Sequence, residues 1–591
     1  MCLQVLIDSS SRGRLHFRQD DRYALPTSSL SVLLRNPWVQ HSLDASGNFA
    51  YDVENEAMSS LFTAVYNCKL AQETYSASEA GLGYVFSCTS AGINLIVSGY
   101  SDKLPAFVGK MLSLAMRPEH LIEDELFEVV KERRLRRLRA THMQRSDELC
   151  DYYAEAFLSP EKRSCEEMEA VTARITKNMI VEHLRKMLDP KNIFAEALAT
   201  GNTTEGQALE WWQGVQATVF GDDAGATTLT NLKFVPGSSF RYLPPSCDYE
   251  LHNQHKNEEE KCGAVVYAYQ GDGLSYIGDR VGAAQSLRKT ATLKLLAAMV
   301  KEPIFNTLRT KMTLGYIVSS GIQTHFSTCS PNEKTGAGAY ACENIQHFYV
   351  TVVSDKMDPV SVGAAIDKFF EDWRDVLKNT PEAEIENYVD SLRRKMLEPF
   401  KKLGEEAAVH RAKIRRFAPE VAGNVDRQGD LLRAVPWESD DLLAAELTKV
   451  TRSDLIACYE KVIVGKERSR VGSYVYGNKF RKGGGAEGGK GAGIWGGGRN
   501  VEVLDGYEGA RKRGQTMGEV GLIGRGGGGG GAGGGWGGKR LLLGLGIGGF
   551  CVGLGVWGWS KFMGGDGRGK GGQVEWSLKG VKRIAFGGKS L

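Results

Sequence analysis

Apolar residues recur in this chain with two rhythms, and the switches between them mark the elements. Residues 15–39 read as extended segments, interrupted by the turn-prone Leu25-Pro26-Thr-Ser-Ser. Met58, Leu61, Phe62 and Val65 then fall at i, i+3, i+4 and i+7, one face of a helix that Asn55 can cap. Gly81 and Gly83 close that region. Tyr84-Val-Phe and Ile93-Asn-Leu-Ile-Val-Ser read as paired strands turning near Gly92. A helix follows from about Pro105, its face marked by Phe107, Val108, Met111 and Leu112. Another starts near Ile122 and runs through Arg133 to Arg139. There Leu135 and Leu138 make an apolar stripe and the arginines a solvated face, not a nucleic-acid patch.

The order then recurs. Ile93–Val97, Ser101-Asp102-Lys103, a helix and a second long helix are matched by Phe348–Val353, Ser354-Asp355-Lys356, a helix over Val360–Phe370 and another over Glu382–Met396. The two triplets lie 253 residues apart. A strand, a polar turn and a helix pair repeated at that distance predict two homologous α+β domains. Each is expected to be a mostly antiparallel sheet flanked by helices. Residues 1–232 form the first and residues 233–480 the second. The second opens with strands around Asp248–Leu251 and Ala264–Tyr269. A helix from about Ala283 to Lys301 follows, with Pro303 just beyond its end, and a strand at Val471–Gly477 closes the domain.

Composition changes this picture only after residue 480. Residues 481–591 hold 43 of the 72 glycines and a net charge of +10. The whole chain carries +3, so the body carries −7 and suits basic peptides better than nucleic acid. The tail has no periodicity that could bury a core. It is expected to be a disordered, glycine-rich, basic segment and a product of non-native translation. Its apolar run Leu541–Trp559 reads as biased composition, not as a membrane span. Eleven scattered cysteines without a C-x-x-C pair read as reduced thiols in a cytoplasmic setting, and the N-terminus lacks a signal-peptide pattern.

Leu15-His-Phe-Arg-Gln-Asp-Asp-Arg-Tyr-Ala-Leu-Pro26, Ala80-Gly-Leu-Gly-Tyr84, Leu198-Ala-Thr-Gly-Asn202, Glu302–Val318 and Leu397–Leu403 stand in an order that resembles the C-terminal half of insulysin-type (pitrilysin) zinc peptidases. That resemblance covers about residues 15–477. It implies the third and fourth of four homologous α+β domains, whose halves close around a chamber that takes in peptides. It also implies that Arg309 and Tyr316 reach the scissile region. There a guanidinium and a phenol could stabilise oxyanion charge or clamp substrate backbone. Gly315 before Tyr316 would allow a close backbone approach or a bend.

The family's zinc site, an H-x-x-E-H helix plus a downstream Glu, has no counterpart here. The nearest pattern, Met179-Ile-Val-Glu182-His183, puts Met179 in the first ligand position, and Glu182 and His183 read as surface helix residues. His252 and His255 read as a turn. His325–Glu343, with Cys329 and Cys342, reads as a solvent loop. The expectation is therefore no metal and no cofactor bound by this chain. Peptide substrates and a zinc-binding half supplied elsewhere are its expected partners, with no nucleic acid and no membrane. Two functions remain open: the substrate-enclosing half of a metalloendopeptidase, inactive alone, or a non-catalytic peptide-binding or partner subunit.

Overall fold

A computed structural model describes residues 5–45, 49–159, 161–221, 240, 243–272, 274–275, 280–328, 342–416, 440–480 and 500–505. In chain order the first half contains β1 (Val5–Ser9), β2 (Gly13–Gln19), β3 (Thr27–Arg35), β4 (His41–Leu43), β5 (Phe49–Tyr51), α1 (Val53–Glu73), α2 (Tyr75–Glu79), β6 (Gly83–Thr89) and β7 (Gly92–Tyr100). Then come α3 (Leu104–Met116), α4 (Asp124–Arg139), α5 (Ser146–Leu158), α6 (Cys165–Arg174), α7 (Lys177–Met187), β8 (Phe194–Gly201) and α8 (Glu205–Phe220). The second half contains β9 (Cys247–Gln254), β10 (Gly263–Gln270), β11 (Leu274–Ser275), α9 (Arg280–Ile304), β12 (Ile317–Thr328), β13 (Cys342–Ser354), α10 (Pro359–Asn379), α11 (Glu382–Met396), α12 (Leu403–Arg416), a helix at Arg452–Tyr459, β14 (Arg470–Tyr476) and β15 (Asn500–Asp505).

The repeat read from the sequence reappears as topology. The first sheet runs β1-β2-β8-β3-β7-β6. The second runs β11-β13-β10-β14-β9-β15, with β12 also paired to β13. Strand for strand, β2-β8-β3-β7-β6 corresponds to β9-β14-β10-β13-β12. The directions agree too: β2 with β8 and β9 with β14 are parallel, and the other pairs of this series are antiparallel. In each half a strand from late in the sequence is inserted between two early ones: β8 between β2 and β3, and β14 between β9 and β10. The first half therefore closes only when residue 201 is reached. The boundary expected at residues 232 and 233 lies outside the described residues.

Each sheet buries a mainly apolar face under its own helices. In the first, Leu15, Phe17, Leu30, Val32, Leu34, Ala195, Ala197 and Ala199 pack against Leu61, Phe62, Val65 and Met111 of α1 and α3. Each of the larger of these side chains, from valine to phenylalanine, contributes roughly 1.5–3 kcal/mol by leaving water. In the second, Val265, Tyr267, Phe348, Val350 and Val352 meet Leu293, Leu296 and Val300 of α9 and Ile366, Phe370 and Trp373 of α10.

The opposite faces are covered by exchange. Helix α5 of the first half lays Leu149, Cys150, Tyr153 and Phe157 on Tyr249, Leu251, Ala264, Val266 and Val471 of the second sheet. Helix α12 of the second half lies over β3 and β8 of the first. That face is polar, with Arg14, His16, Arg18, Arg35 and Glu196 all buried. Arg18 Nε donates to Glu406 Oε1 at 2.5 Å, Arg35 Nε to Glu196 Oε2 at 2.5 Å, and Arg35 Nη2 to the Ile414 carbonyl at 2.7 Å. Both sheets belong to one compact unit.

Several expectations need correction. Asp52, not Asn55, caps α1, accepting from the Glu54 and Asn55 amides; the Asn55 side chain donates inward to the His41 carbonyl. α9 does not stop before Pro303. It runs to Ile304 and widens into a π-turn over Phe305–Lys311. Proline lacks the N–H for the i→i−4 bond and crowds that carbonyl, so the helix loosens instead of ending. Asn500–Asp505, expected in the structureless tail, pair in parallel with β9. Val501, Val503 and Leu504 give that short stretch the β-forming residues that the surrounding glycines lack. The rest of 481–591 lies outside the described residues. Among the described residues, no helix is long and apolar enough to cross a membrane.

Candidate functional site

The segment between α9 and β12 is built on three anchors. Leu308 and Leu314 are buried at 0% and 2% exposure. The Leu314 amide donates to the Leu308 carbonyl at 3.0 Å, and the Met312 amide to the Thr307 carbonyl at 2.9 Å. Ser354, the serine of the second Ser-Asp-Lys triplet, donates through Oγ to the Leu314 carbonyl at 2.5 Å while accepting from the Lys356 and Met357 amides. Thus one repeated tripeptide fixes the loop ahead of β12. At Gly315 a Cβ would lie 1.8 Å from the Val353 carbonyl oxygen, so only glycine permits this approach. Thr313 between them holds φ of +49°, a costly conformation for a β-branched residue.

This frame brings Arg309 and Tyr316 together. The Arg309 guanidinium carbon lies 4.5 Å from the Tyr316 ring centre and 4.7 Å from that of Phe305. The cation is thus sandwiched between two rings, each worth about 0.5–1 kcal/mol at an exposed site. Arg309 is half-buried, whereas Tyr316 is 83% exposed. The two rings hold the guanidinium in place and leave N–H groups available to an acceptor. Neither side chain has a hydrogen-bond or ion-pair partner among the described residues. A planar donor beside a solvent-facing phenol can bind a peptide carbonyl or an oxyanion.

The sequence's other candidates resolve differently. His183 is not a surface residue: it is 4% exposed, with Nε2 2.9 Å from Ser59 Oγ, and burial holds its imidazole down at about 4. Glu182, one residue earlier, is exposed. The pair diverges and does not fit a zinc site. His252 lies in β9, not in a turn. It stacks on Tyr474 with 4.4 Å between centroids and bonds Tyr476 Oη through Nδ1 at 2.7 Å. His255 Nε2 contacts the Gln144 carbonyl at 2.8 Å. In the stretch expected to be a solvent loop, His325 belongs to β12 and Cys342 and Glu343 to β13, while residues 329–341, with Cys329, lie outside the described residues. His325 stacks on Phe240 at 3.8 Å.

One cluster was not visible in the sequence. His142, in the turn after α4, meets Cys165 and Glu166 at the start of α6. His142 Nε2 lies 2.6 Å from Glu166 Oε1 and 3.0 Å from Cys165 Sγ, which is 3.2 Å from Glu166 Oε2. Lys256 donates to Glu166 Oε1 at 2.9 Å. Burial and the Glu166 hydrogen bond push the Cys165 thiol up to about 11. Burial opposes the Glu166 charge, yet its hydrogen bonds, Lys256 first, bring it down to about 2. His142 and Cys165 stand 23 positions apart with all of α5 between them, so no short-range spacing betrays the contact.

Residues 4–171 match the family described as the middle or third domain of peptidase M16, and residues 174–392 match the one described as the peptidase M16 inactive domain. Insulin-degrading enzyme of Homo sapiens is 25% identical over 463 residues, covering 78% of this chain and 39% of that protein. A nardilysin-like protein of Arabidopsis thaliana is 26% identical over 359 residues, covering 60% of this chain and 31% of that one. A crystal structure of pitrilysin matches with a TM-score of 0.66 at 17% identity, covering 87% of this chain and 46% of that chain. The chain therefore spans less than half the length of these relatives.

Proposed function

The chain belongs to the insulysin/pitrilysin-type peptidase M16 family, and from that premise we propose that it is the non-zinc half of a metalloendopeptidase, enclosing and positioning peptide substrates. Arg309 and Tyr316 are its substrate-facing donors. They hold the backbone beside the scissile bond or the oxyanion that forms there, while a zinc-binding half supplies the hydrolytic metal. Without that half the chain is inactive. The observation that supports this reading most is the Arg309–Tyr316 stack, held on a π-turn by Ser354 and by the glycine contact at residue 315. Such a pre-set donor pair is what transition-state stabilisation requires.

A quenched peptide incubated with the purified chain, with and without a zinc-binding half from a relative, tests this. The expected result is no turnover alone and chelator-sensitive turnover with the half added. Zinc-dependent hydrolysis by the chain alone would overturn the proposal. Peptide binding that is chelator-insensitive and never leads to hydrolysis would favour a non-catalytic subunit instead.

A further inference from the structure

We propose that His142, Cys165 and Glu166 form a binding site for a divalent transition metal of zinc type, at the seam between the two halves. This site stands whether or not the chain is half of a peptidase. Three different donors, an imidazole nitrogen, a sulfur and a carboxylate oxygen, all lie within 4.8 Å of one another. That is the mixed N/S/O set that zinc accepts, with one position left for water or an incoming ligand.

The donors are held from behind. Ser164 caps α6 by accepting from the Glu167 amide at 3.0 Å, and the Tyr152 hydroxyl accepts from the Cys165 amide at 3.0 Å. Cys165 forms no disulfide. Zinc–ligand lengths of about 2.0–2.3 Å imply tetrahedral edges of roughly 3.3–3.5 Å. The cluster at 2.6–3.2 Å would open by about half an ångström, and the exposed Glu166 side chain has room to swing.

In its present form the cluster is joined by protons and by one foreign cation. The Lys256 ammonium, from the loop after β9 in the second half, occupies Glu166 Oε1. A plain salt link would need only Lys256 and Glu166. The thiol and the imidazole, 3.0 Å apart, are surplus to it and are the donors that a soft-to-borderline metal selects. Metal binding displaces the ammonium and releases the thiol proton.

The test is cobalt titration of the chelator-stripped, reduced full chain, read by thiolate-to-cobalt absorption in the near ultraviolet and by bound metal after gel filtration. One equivalent with a charge-transfer band is expected. Cys165→Ser should abolish the band while the other ten cysteines remain. His142→Ala should weaken binding at least tenfold. Lys256→Gln should tighten it, since the competing cation is gone. Glu166→Gln, a change at an exposed position, gives a second weakened variant if His142→Ala does not fold. No uptake by the wild-type chain at micromolar metal, or a band that survives Cys165→Ser, would overturn the site.

Discussion

Tyr316 is the residue at which the proposed clamp and the stability of the fold can be separated. With 83% of its surface in water it contributes little to the core, so Tyr316→Phe should leave the urea midpoint unchanged. In the reconstituted peptidase the same change removes one donor and should lower kcat on the order of 10²-fold. Equal rates for both forms would remove Tyr316 from the proposed clamp. Gly315→Ala tests the opposite balance. A methyl group placed 1.8 Å from the Val353 oxygen forces the backbone apart, costing about 1–3 kcal/mol and displacing Tyr316. Stability and turnover should therefore fall together, measured by denaturation and by the peptide assay. Gly315, Arg309 and Tyr316 were legible as residues. The role of Ser354 was not, because its 2.5 Å bond to Leu314 spans 40 positions.

At the scale of elements, two of the helices that the hydrophobic pattern did not reveal escaped it for opposite reasons. Helix α5 is buried nearly all round, with Leu149, Cys150, Tyr153, Ala154, Ala156 and Phe157 all inside, so it lacks a clear polar face. Helix α12 carries Glu406, His410 and Lys413, residue types that are mostly exposed, yet Glu406 and Lys413 are buried and His410 is half-buried. Its attachment is electrostatic, and that makes it fragile. Glu406→Ala leaves the buried Arg18 with only the exposed Asp21 carboxylate, 4.0 Å away, and should cost about 3 kcal/mol. Arg18→Met with Glu406→Leu should recover most of that loss, as apolar replacements of buried pairs often do. Chemical denaturation of the three variants checks both statements. If Glu406→Ala costs under 1 kcal/mol, α12 is held by other contacts.

At the scale of the whole molecule, the exchange of α5 and α12 makes the halves interdependent. Residues 1–221 expressed alone would expose the apolar face of α5 and the charged face of the first sheet. That fragment should be aggregated or molten by gel filtration and near-ultraviolet circular dichroism, while residues 1–505 fold. A monomeric, cooperatively melting fragment would contradict the exchange argument. Acid sensitivity also belongs here. Burial holds His41, His183 and His347 down at about 4; His410 lies there too, helped by Lys413 and Arg18, and His16 is at about 3, with Arg14 and Arg35 adding to burial. Their unfolded value is 6.5, so below that pH the unfolded chain takes up protons that the folded chain refuses. Stability should be flat from pH 8 to 7 and fall as pH drops from about 6.5 towards 4. Each histidine contributes at most about 1.4 kcal/mol per unit. Urea midpoints at pH 8, 6.5 and 5 decide it; an unchanged midpoint at pH 5 would refute it.

The sequence by itself determined the α+β class, the doubled order of strand, polar turn and helix pair, and the segment carrying Arg309 and Tyr316. These are local properties: a period of two or 3.6 says that a face is buried, and a motif says which groups are present. Only the tertiary structure decided what covers each face. It put α5 and α12 on each other's sheets, seated Arg309 against Tyr316 on a widened turn, and gathered His142, Cys165, Glu166 and Lys256 from two halves. Burial is encoded in one chain segment at a time, whereas the partner of a buried group depends on how distant segments cross.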